Sequence, residues 1–514
     1  MRLMELVEIS ERLQGTAQRL KKTAVLAAWL HRLERTEIAI GVHYMSGRLP
    51  QGRIGIGARL LAAAAQTAPA CAPTLTLVEI DAALARLAEV RGAGSGARRR
   101  ALLAELYARA TRPEQEFLYR LLTGELRQGA LEGLMLEAVA AAADIDAAEV
   151  RRAAMLAGDL PPVAEATLAE GRSGLARFRL TPLAAVKPML AQTAANVEEA
   201  LARLGKAAFE FKLDGVRVQV HKAGDAVRVY TRRLQDVTDS VPEIVDAVRG
   251  LDAGRLILDG EAISCAEDGR PRPFQETMRR FGRKQGVNAL RAELPLSVLF
   301  FDCLHLDGRD LIGEPASARF EALAAALPAG LQIPRCITAD ADEARAFLEH
   351  ALARGHEGLV AKALDAPYAA GDRGGAWLKI KVARTLDLVV LAAEWGHGRR
   401  RGWLSNLHLG ARDPGTGGFV MLGKTFKGMT DEMLRWQTER LLALERRRDA
   451  HTVYVRPELV VEVAFDGLQQ SPQYPGGLAL RFARVKSYRT DKAPEDADTI
   501  EAVKALYVRQ NGRV

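Results

Sequence analysis

The sequence predicts a multidomain chain: an all-α N-terminal part, a mixed α+β middle and a small C-terminal β-barrel. Three observations predict it. Apolar residues recur at three and four through residues 1 to about 170. Strand-like and helix-like stretches alternate from Leu183 to about Val382. Residues 384–514 read mainly as strands, with one helix near Asp431–Arg447. A length of 514 residues is too great for one core and allows two to four domains.

The helical part is clearest at Leu118, Leu121, Leu122, Leu126, Leu131, Leu134 and Met135. Pro113, just after Thr111, signals a helix start, and Gly124 and Gly129 punctuate. Cations cluster at Lys21-Lys22 and at Arg98-Arg99-Arg100. Others sit in glycine turns, at Arg53 within Gly52–Gly57 and at Arg127 before Gly129. Two readings stand here. The turns are helix connections with solvated charge, or they grip a duplex backbone with salt-dependent, sequence-blind affinity. A connector runs from Gly171 to Pro182.

The formal net charge of +8 makes a polyanionic partner plausible. Cys71, Cys265, Cys303 and Cys336 form no CxxC pair, which argues for a reducing compartment and against a cysteine-ligated zinc. Met1–Glu5 leads into charged helical sequence rather than a signal-peptide core. No uncharged apolar run approaches membrane-spanning length. The expectation is a soluble, cytoplasmic protein.

The middle part centres on residues 209–220. Phe209, Phe211 and Leu213 alternate with Glu210, Lys212 and Asp214, the period of a strand with one polar face. The apolar phase slips at Gly215, where a chain without Cβ can turn or bulge. Further strand-like pieces put Arg228, Tyr230 and Arg232 on one face, Asp259 and Glu261 on another, and Lys379 and Lys381 on a third. His356–Lys362 adds an acid and a lysine. Lysines and arginines together suit a triphosphate, and acids among them suit a divalent metal holding phosphate oxygens. A lysine among other cations has its ammonium disfavoured, so its amine becomes a nucleophile for an α-phosphorus. No GxxxxGK[ST] loop, nucleophile elbow or HExxH motif occurs.

Lys212-Leu213-Asp214-Gly215 resembles the KxDG element of the covalent nucleotidyltransferases, the superfamily of ATP-dependent DNA ligases and mRNA capping enzymes. Other pieces match its motifs in order: Thr231-Arg232-Arg233, Asp259-Gly260-Glu261, Phe300-Phe301-Asp302, Glu357–Lys362 and Trp377–Lys381. Arg489-Thr490-Asp491-Lys492 resembles the RxDK element of polynucleotide ligases. Thr231-Arg232-Arg233 departs from the Ser-Arg-Asn usual in ligases, with Arg233 in place of the asparagine.

The resemblance covers the whole chain. It implies a helical DNA-binding domain over 1–180, with Arg127-Gln128-Gly129 in its glycine-rich region. It implies an adenylation domain of ATP-grasp-like nucleotidyltransferase fold over 181–383, entered at Pro188–Ala191. An OB-fold barrel over 384–514 would follow, with Gly396–Arg401 as a basic loop, either a duplex contact or an exposed hairpin.

The resemblance also implies roles. Lys212 would be the nucleophile that becomes lysyl-AMP, and Glu210 would receive the adenine amino group. Arg217 and Arg232 would contact phosphate and ribose, or the 5′-phosphate of a nick. Glu261 would bind ribose or a metal, and Glu357 a metal, Mg2+ or Mn2+. Phe301 would stack on adenine. Lys379 and Lys381 would contact the α-phosphate, and Arg373 would help bind ATP. Arg489, Asp491 and Lys492 would orient pyrophosphate, carried by a mobile barrel. Asp214 would position backbone or a metal-bound water.

The implied activity is sealing of nicks in duplex DNA by a monomer using ATP, nucleoid-associated when on DNA. NAD as AMP donor is disfavoured, because that ligase type carries a four-cysteine zinc site. A capping guanylyltransferase, an RNA ligase and a non-catalytic DNA clamp are the rivals.

Overall fold

The computed structural model describes all residues except 53, 127, 129–131, 267–268, 273, 282–285, 370–373, 382–383 and 512–514, and the side chains of 58, 275 and 509–511. Arg53, Arg127, Gly129, Leu131, Arg373 and Val382 therefore lie outside the described residues. Among the described residues, no helix is long and apolar enough to cross a membrane.

From Leu3 to Leu175 the described chain is a run of helices around one apolar core that includes Leu6, Trp29, Tyr44, Phe117 and Val139. Local signals explain the boundaries. Helix Arg112–Thr123 starts after Thr111, whose backbone N–H donates to Glu114 at 2.8 Å. It stops at Gly124, which adopts φ 71°. Two of the clustered cations serve the fold. Lys22 Nζ donates to the Gln128 carbonyl at 2.6 Å, and Arg99 donates to the Val90 carbonyl at 2.6 Å.

The middle part holds two five-stranded sheets. Its strands are β1 (Gln192–Ala194), β2 (Ala207–Phe211), β3 (Val216–Ala223), β4 (Ala226–Thr231) and β5 (Arg255–Ser264). They continue as β6 (Leu296–Leu306), β7 (Arg309–Asp310), β8 (Arg335–Thr338), β9 (Gly358–Ala363) and β10 (Trp377–Lys381). One sheet runs β1-β10-β9-β2-β8, the other β4-β3-β5-β6-β7. The chain crosses from the first sheet to the second between β2 and β3, at Lys212–Gly215. The connector packs Leu180, Val186 and Met189 with Met155 of the helical part and Ile257, Leu304 and Trp377 of the middle. That shared core fixes the helices against the sheets.

Two expectations need correction here. Lys212 does not lie within a strand: β2 ends at Phe211. The face carrying Glu210 is not wet either, since β2 is buried along its whole length. Phe209 and Phe211 pack with Phe347 and Leu348 on one face, and Glu210 on the other meets Lys362 and Arg335, so period-two alternation reports two kinds of interior rather than interior and solvent.

The last part contains β11 (Arg384–Trp395), β12 (Leu404–Asp413), β13 (Gly418–Thr425), β14 (Glu445–Arg448) and β15 (Thr452–Val455). β16 (Val460–Phe465), β17 (Gly467–Gln470), β18 (Leu478–Arg481) and β19 (Arg484–Tyr488) complete it. β11 pairs with β16 along its first half and with β15 near its end, while β12 lies on its other edge. One long strand serving two partners in succession curls the sheet around Leu388, Leu409, Val461 and Phe465. The helix expected near Asp431–Arg447 spans Asp431–Ala443 only. Glu445–Arg448 instead pairs with β15, where the Arg447 guanidinium lies 3.6 Å from the Tyr454 ring centroid.

Candidate active site

The site is built where β2 ends. Pairing with β9 continues one step past the strand: Lys212 donates its N–H to the Gly358 carbonyl at 2.8 Å, and Glu357 donates to the Lys212 carbonyl at 3.1 Å. Lys212 and Glu357 thus become neighbours through main-chain bonds. β10 pairs with β9 so that Lys381 faces Gly358. Gly358 is required there, because a Cβ would lie 2.1 Å from the Ile380 carbonyl oxygen.

Three charges meet as a result. Lys212 Nζ lies 2.5 Å and Lys381 Nζ 3.0 Å from Glu357 Oε2. Burial alone would raise the Glu357 carboxyl, but Lys212 and Lys381 outweigh it and hold the group below its ordinary value. The charge nearest Lys212 is therefore a carboxylate. The expected setting of Lys212, among cations, is corrected: Lys212 and Lys381 share one acid.

Glu261 comes from β5, opposite Arg217 of β3. Among the described residues its carboxylate makes no hydrogen bond or ion pair. Burial pushes its carboxyl up to about 7, against the pull of Lys212 and Arg217. Glu261 and Glu357 are the acids available to a cation at Lys212. Among the described residues, no cluster of three or more His, Cys, Asp or Glu could hold one alone. Two carboxylates with the remaining positions left to phosphate and water is the Mg2+ pattern.

Arg217 is anchored rather than free. It forks onto Asp259 at 3.0 and 2.6 Å and donates to the Met189 carbonyl at 2.6 Å. Tyr368 closes the arrangement, donating to Asp259 at 2.6 Å. The guanidinium carbon sits 5.5 Å from the ring centroids of both Phe301 and Trp377. Phe301 is half-buried, edge-on to Trp377 at 5.9 Å, with Lys362 Nζ 4.5 Å from its centroid. Lys362 is buried and pairs with buried Glu210 at 2.6 Å. Glu210 also takes Arg335 from β8.

The remaining expected residues distribute as follows. Lys379 is two residues before Lys381 on β10 and shares its face. Arg232 is exposed in the turn after β4. Asp214 pairs with Arg481 of β18 at 2.6 Å. Arg489, Asp491 and Lys492 are not brought to Lys212. Arg489 and Lys492 pair with Asp387 of β11 at 3.1 and 2.6 Å, and Arg489 with Asp491 at 2.7 Å.

The side chains that reach the site from the C-terminal part are others. Asp466 lies 2.9 Å from Lys381, and Arg481 holds Asp214. Arg484 of β19 pairs with Asp466 at 3.2 Å. Asp466, Arg481 and Arg335 were missed because their partners lie far along the chain. Asp466, between the apolar end of β16 and Gly467, was the available signal.

Three family models match: an ATP dependent DNA ligase domain over 188–381, an ATP dependent DNA ligase C terminal region over 400–492, and a DNA ligase N terminus over 62–140. A probable DNA ligase of Anaeromyxobacter sp. (strain Fw109-5) is 64% identical over 99% of each chain. Another, of Sorangium cellulosum (strain So ce56), is 58% identical over 99% of this chain and 95% of the relative. A solved structure named Pmar-Lig_PreS3 shares the fold, with TM-score 0.65 at 18% identity over 94% of this chain and 99% of its own. The two near relatives match along almost their full length, and the matched models run through all three parts of the fold. The chain belongs to the ATP-dependent DNA ligase family.

Proposed function

We propose that the enzyme seals nicks in duplex DNA through an adenylate carried on Lys212. The observation that carries this reading is the meeting of Lys212, Lys381 and Glu357 within 3.0 Å at a sheet corner beside Glu261. The Lys212 amine, once deprotonated, attacks the α-phosphorus of ATP. A P–N bond forms and the α–β oxygen bridge breaks, releasing pyrophosphate. A 5′-phosphate oxygen at the nick then attacks the same phosphorus, the P–N bond breaks, and the amine regains a proton. Finally the 3′-hydroxyl attacks the activated 5′-phosphate, loses its proton and expels AMP. Each step depends on positioning and charge stabilisation more than on proton transfer.

Lys381 and Lys379 neutralise the α-phosphate, with Arg232 and Arg373 contributing cations to the triphosphate or the nick. Phe301 and Trp377 frame the base, and Glu210 accepts from its amino group. Arg217 stiffens the wall through Asp259. Glu261 and Glu357 would hold Mg2+ or Mn2+, which when bound offsets charge on the phosphates. Residues 1–180 serve as DNA-binding domain, 181–383 as adenylation domain and 384–514 as an OB-fold. Arg489 and Lys492 pair with Asp387, and Asp491 with Arg489, all within the C-terminal part and away from Lys212, so their use on pyrophosphate requires those pairs to open and the OB-fold to turn. The enzyme acts as a cytoplasmic monomer on nicked DNA.

Nicked duplex offered with ATP or with NAD tests the reading. Sealing and one AMP per protein are expected with ATP alone, and neither with Lys212→Ala. Sealing by Lys212→Ala, or an adduct formed from GTP only, would overturn it.

A further inference from the structure

We infer that Arg335 is a positioning residue that sets the choice of adenine over guanine, an inference that rests on the adenylation reading above. Register puts Arg335 of β8 directly opposite Glu210 of β2. Arg335 Nε and Nη2 both approach Glu210 Oε1, at 2.8 and 2.6 Å. Lys362 Nζ takes Oε2 at 2.6 Å. An ionised carboxylate has about four acceptor positions. Three are filled, and the open one is on Oε2, the oxygen next to Lys362.

That open position accepts a donor and repels an acceptor. The amino group of adenine is a donor, whereas guanine presents a carbonyl oxygen at the equivalent ring carbon. The cations beside Glu210 are themselves occupied. Lys362 donates to the Phe301 carbonyl at 3.2 Å, and its remaining reach is toward the Phe301 and Trp377 rings, at 4.5 and 4.3 Å from their centroids. Arg335 donates to the same carbonyl at 3.3 Å and lies flat on Phe320, 3.6 Å from the centroid. The guanidinium thus fixes the carboxylate from behind and ties it to the backbone of Phe301. Without Arg335, Glu210 can turn wholly onto Lys362, or Lys362 can leave it and offer a donor to guanine. In both cases the site loses its sign.

The test compares Arg335→Met with wild type for label transfer from α-labelled ATP and GTP. The apparent KM for ATP is expected to rise about tenfold. The ATP-over-GTP preference should fall at least tenfold, while the rate at saturating ATP stays within about threefold. Arg335→Lys, which keeps a cation but not the fork, should fall between. A pre-adenylated nick would still seat its adenine in this pocket, so the fold is read separately: the melting temperature without nucleotide should stay within about 3 °C of wild type. An unchanged ATP/GTP ratio overturns the inference. So does an equal loss of ATP and GTP labelling together with a lowered melting temperature, which marks a purely structural role. Absence of label on the wild type would instead overturn the adenylation reading beneath it.

Discussion

Glu357 Oε2 lies 2.5 Å from Lys212 Nζ, and main-chain hydrogen bonds from Glu357 to Lys212 and from Lys212 to Gly358 hold them there. The carboxylate also receives Lys381 at 3.0 Å, so one acid aligns two lysines, one on β10 and one just past the end of β2. Replacing it with an amide keeps the shape and removes the charge. Glu357→Gln should slow adenylyl transfer about a hundredfold, the size seen when one aligned electrostatic contact is lost. Single-turnover labelling from ATP measures it, and a rate within twofold of wild type would show that Glu357 is not part of the machinery.

Glu394 provides a pH dependence away from the site. Its carboxylate takes His408 at 3.0 Å, Asn406 at 2.7 Å and Lys424. Partial burial would raise the carboxyl, but these partners win and bring it to about 2. A depressed acid stabilises the fold above its unfolded value near 4.5, and that stability is lost as pH falls toward 2. The contribution should be on the order of 1 kcal/mol after solvent screening. Glu394→Gln should lower the melting temperature most at pH 7, less at pH 3, and hardly at all near pH 2. Equal losses at all three values would contradict the charge argument.

Local pattern carried much of this site. The period-two stretch around Lys212, the paired lysines at 379 and 381 and the acid at 357 are each visible within a few residues of sequence. What local pattern could not carry was pairing at distance. Glu210 and Arg335 are 125 residues apart, and Asp214 and Arg481 are 267 apart. Alternation also misreported β2, since its polar face is covered by an ion cluster of Lys362 and Arg335 instead of water. The RxDK element was legible as a motif but not as a location. Asp387, six residues past the β10 end on β11, claims its cations, and nothing near Arg489 in sequence announces that.

Arg481 crosses from β18 to Asp214 in the KxDG element itself. Both groups are mostly buried, at 16% and 31% side-chain exposure, so the pair is screened less than a surface bridge. It presses the C-terminal part over the Lys212 corner. Arg481→Gln and Asp214→Asn should each slow nick sealing. The double variant should be no slower than the worse single, giving a coupling of about 1–3 kcal/mol. Arg481→Gln should leave self-labelling from ATP within about threefold. Strictly additive sealing losses would mean the two residues act separately.

Gly215 sits where the chain passes from β2 to β3, under β5. A Cβ there would lie 2.4 Å from the Ala262 carbonyl oxygen, 2.5 Å from Ile263 Cγ2 and 2.9 Å from Glu261 Cγ. The first neighbour is backbone and the second is a β-branched side chain in the core, so neither can give way cheaply. The chain between Lys212 and Val216 must shift instead. Gly215→Ala should cost roughly 1–3 kcal/mol in urea unfolding. It should also lower self-labelling from ATP by more than tenfold, because it displaces the nucleophile and pushes directly on Glu261. Gly330 is the matched control, with nothing within 4 Å of an added Cβ. Gly330→Ala should match wild type in both measurements, and normal labelling by Gly215→Ala would show that the corner tolerates a shift the packing forbids.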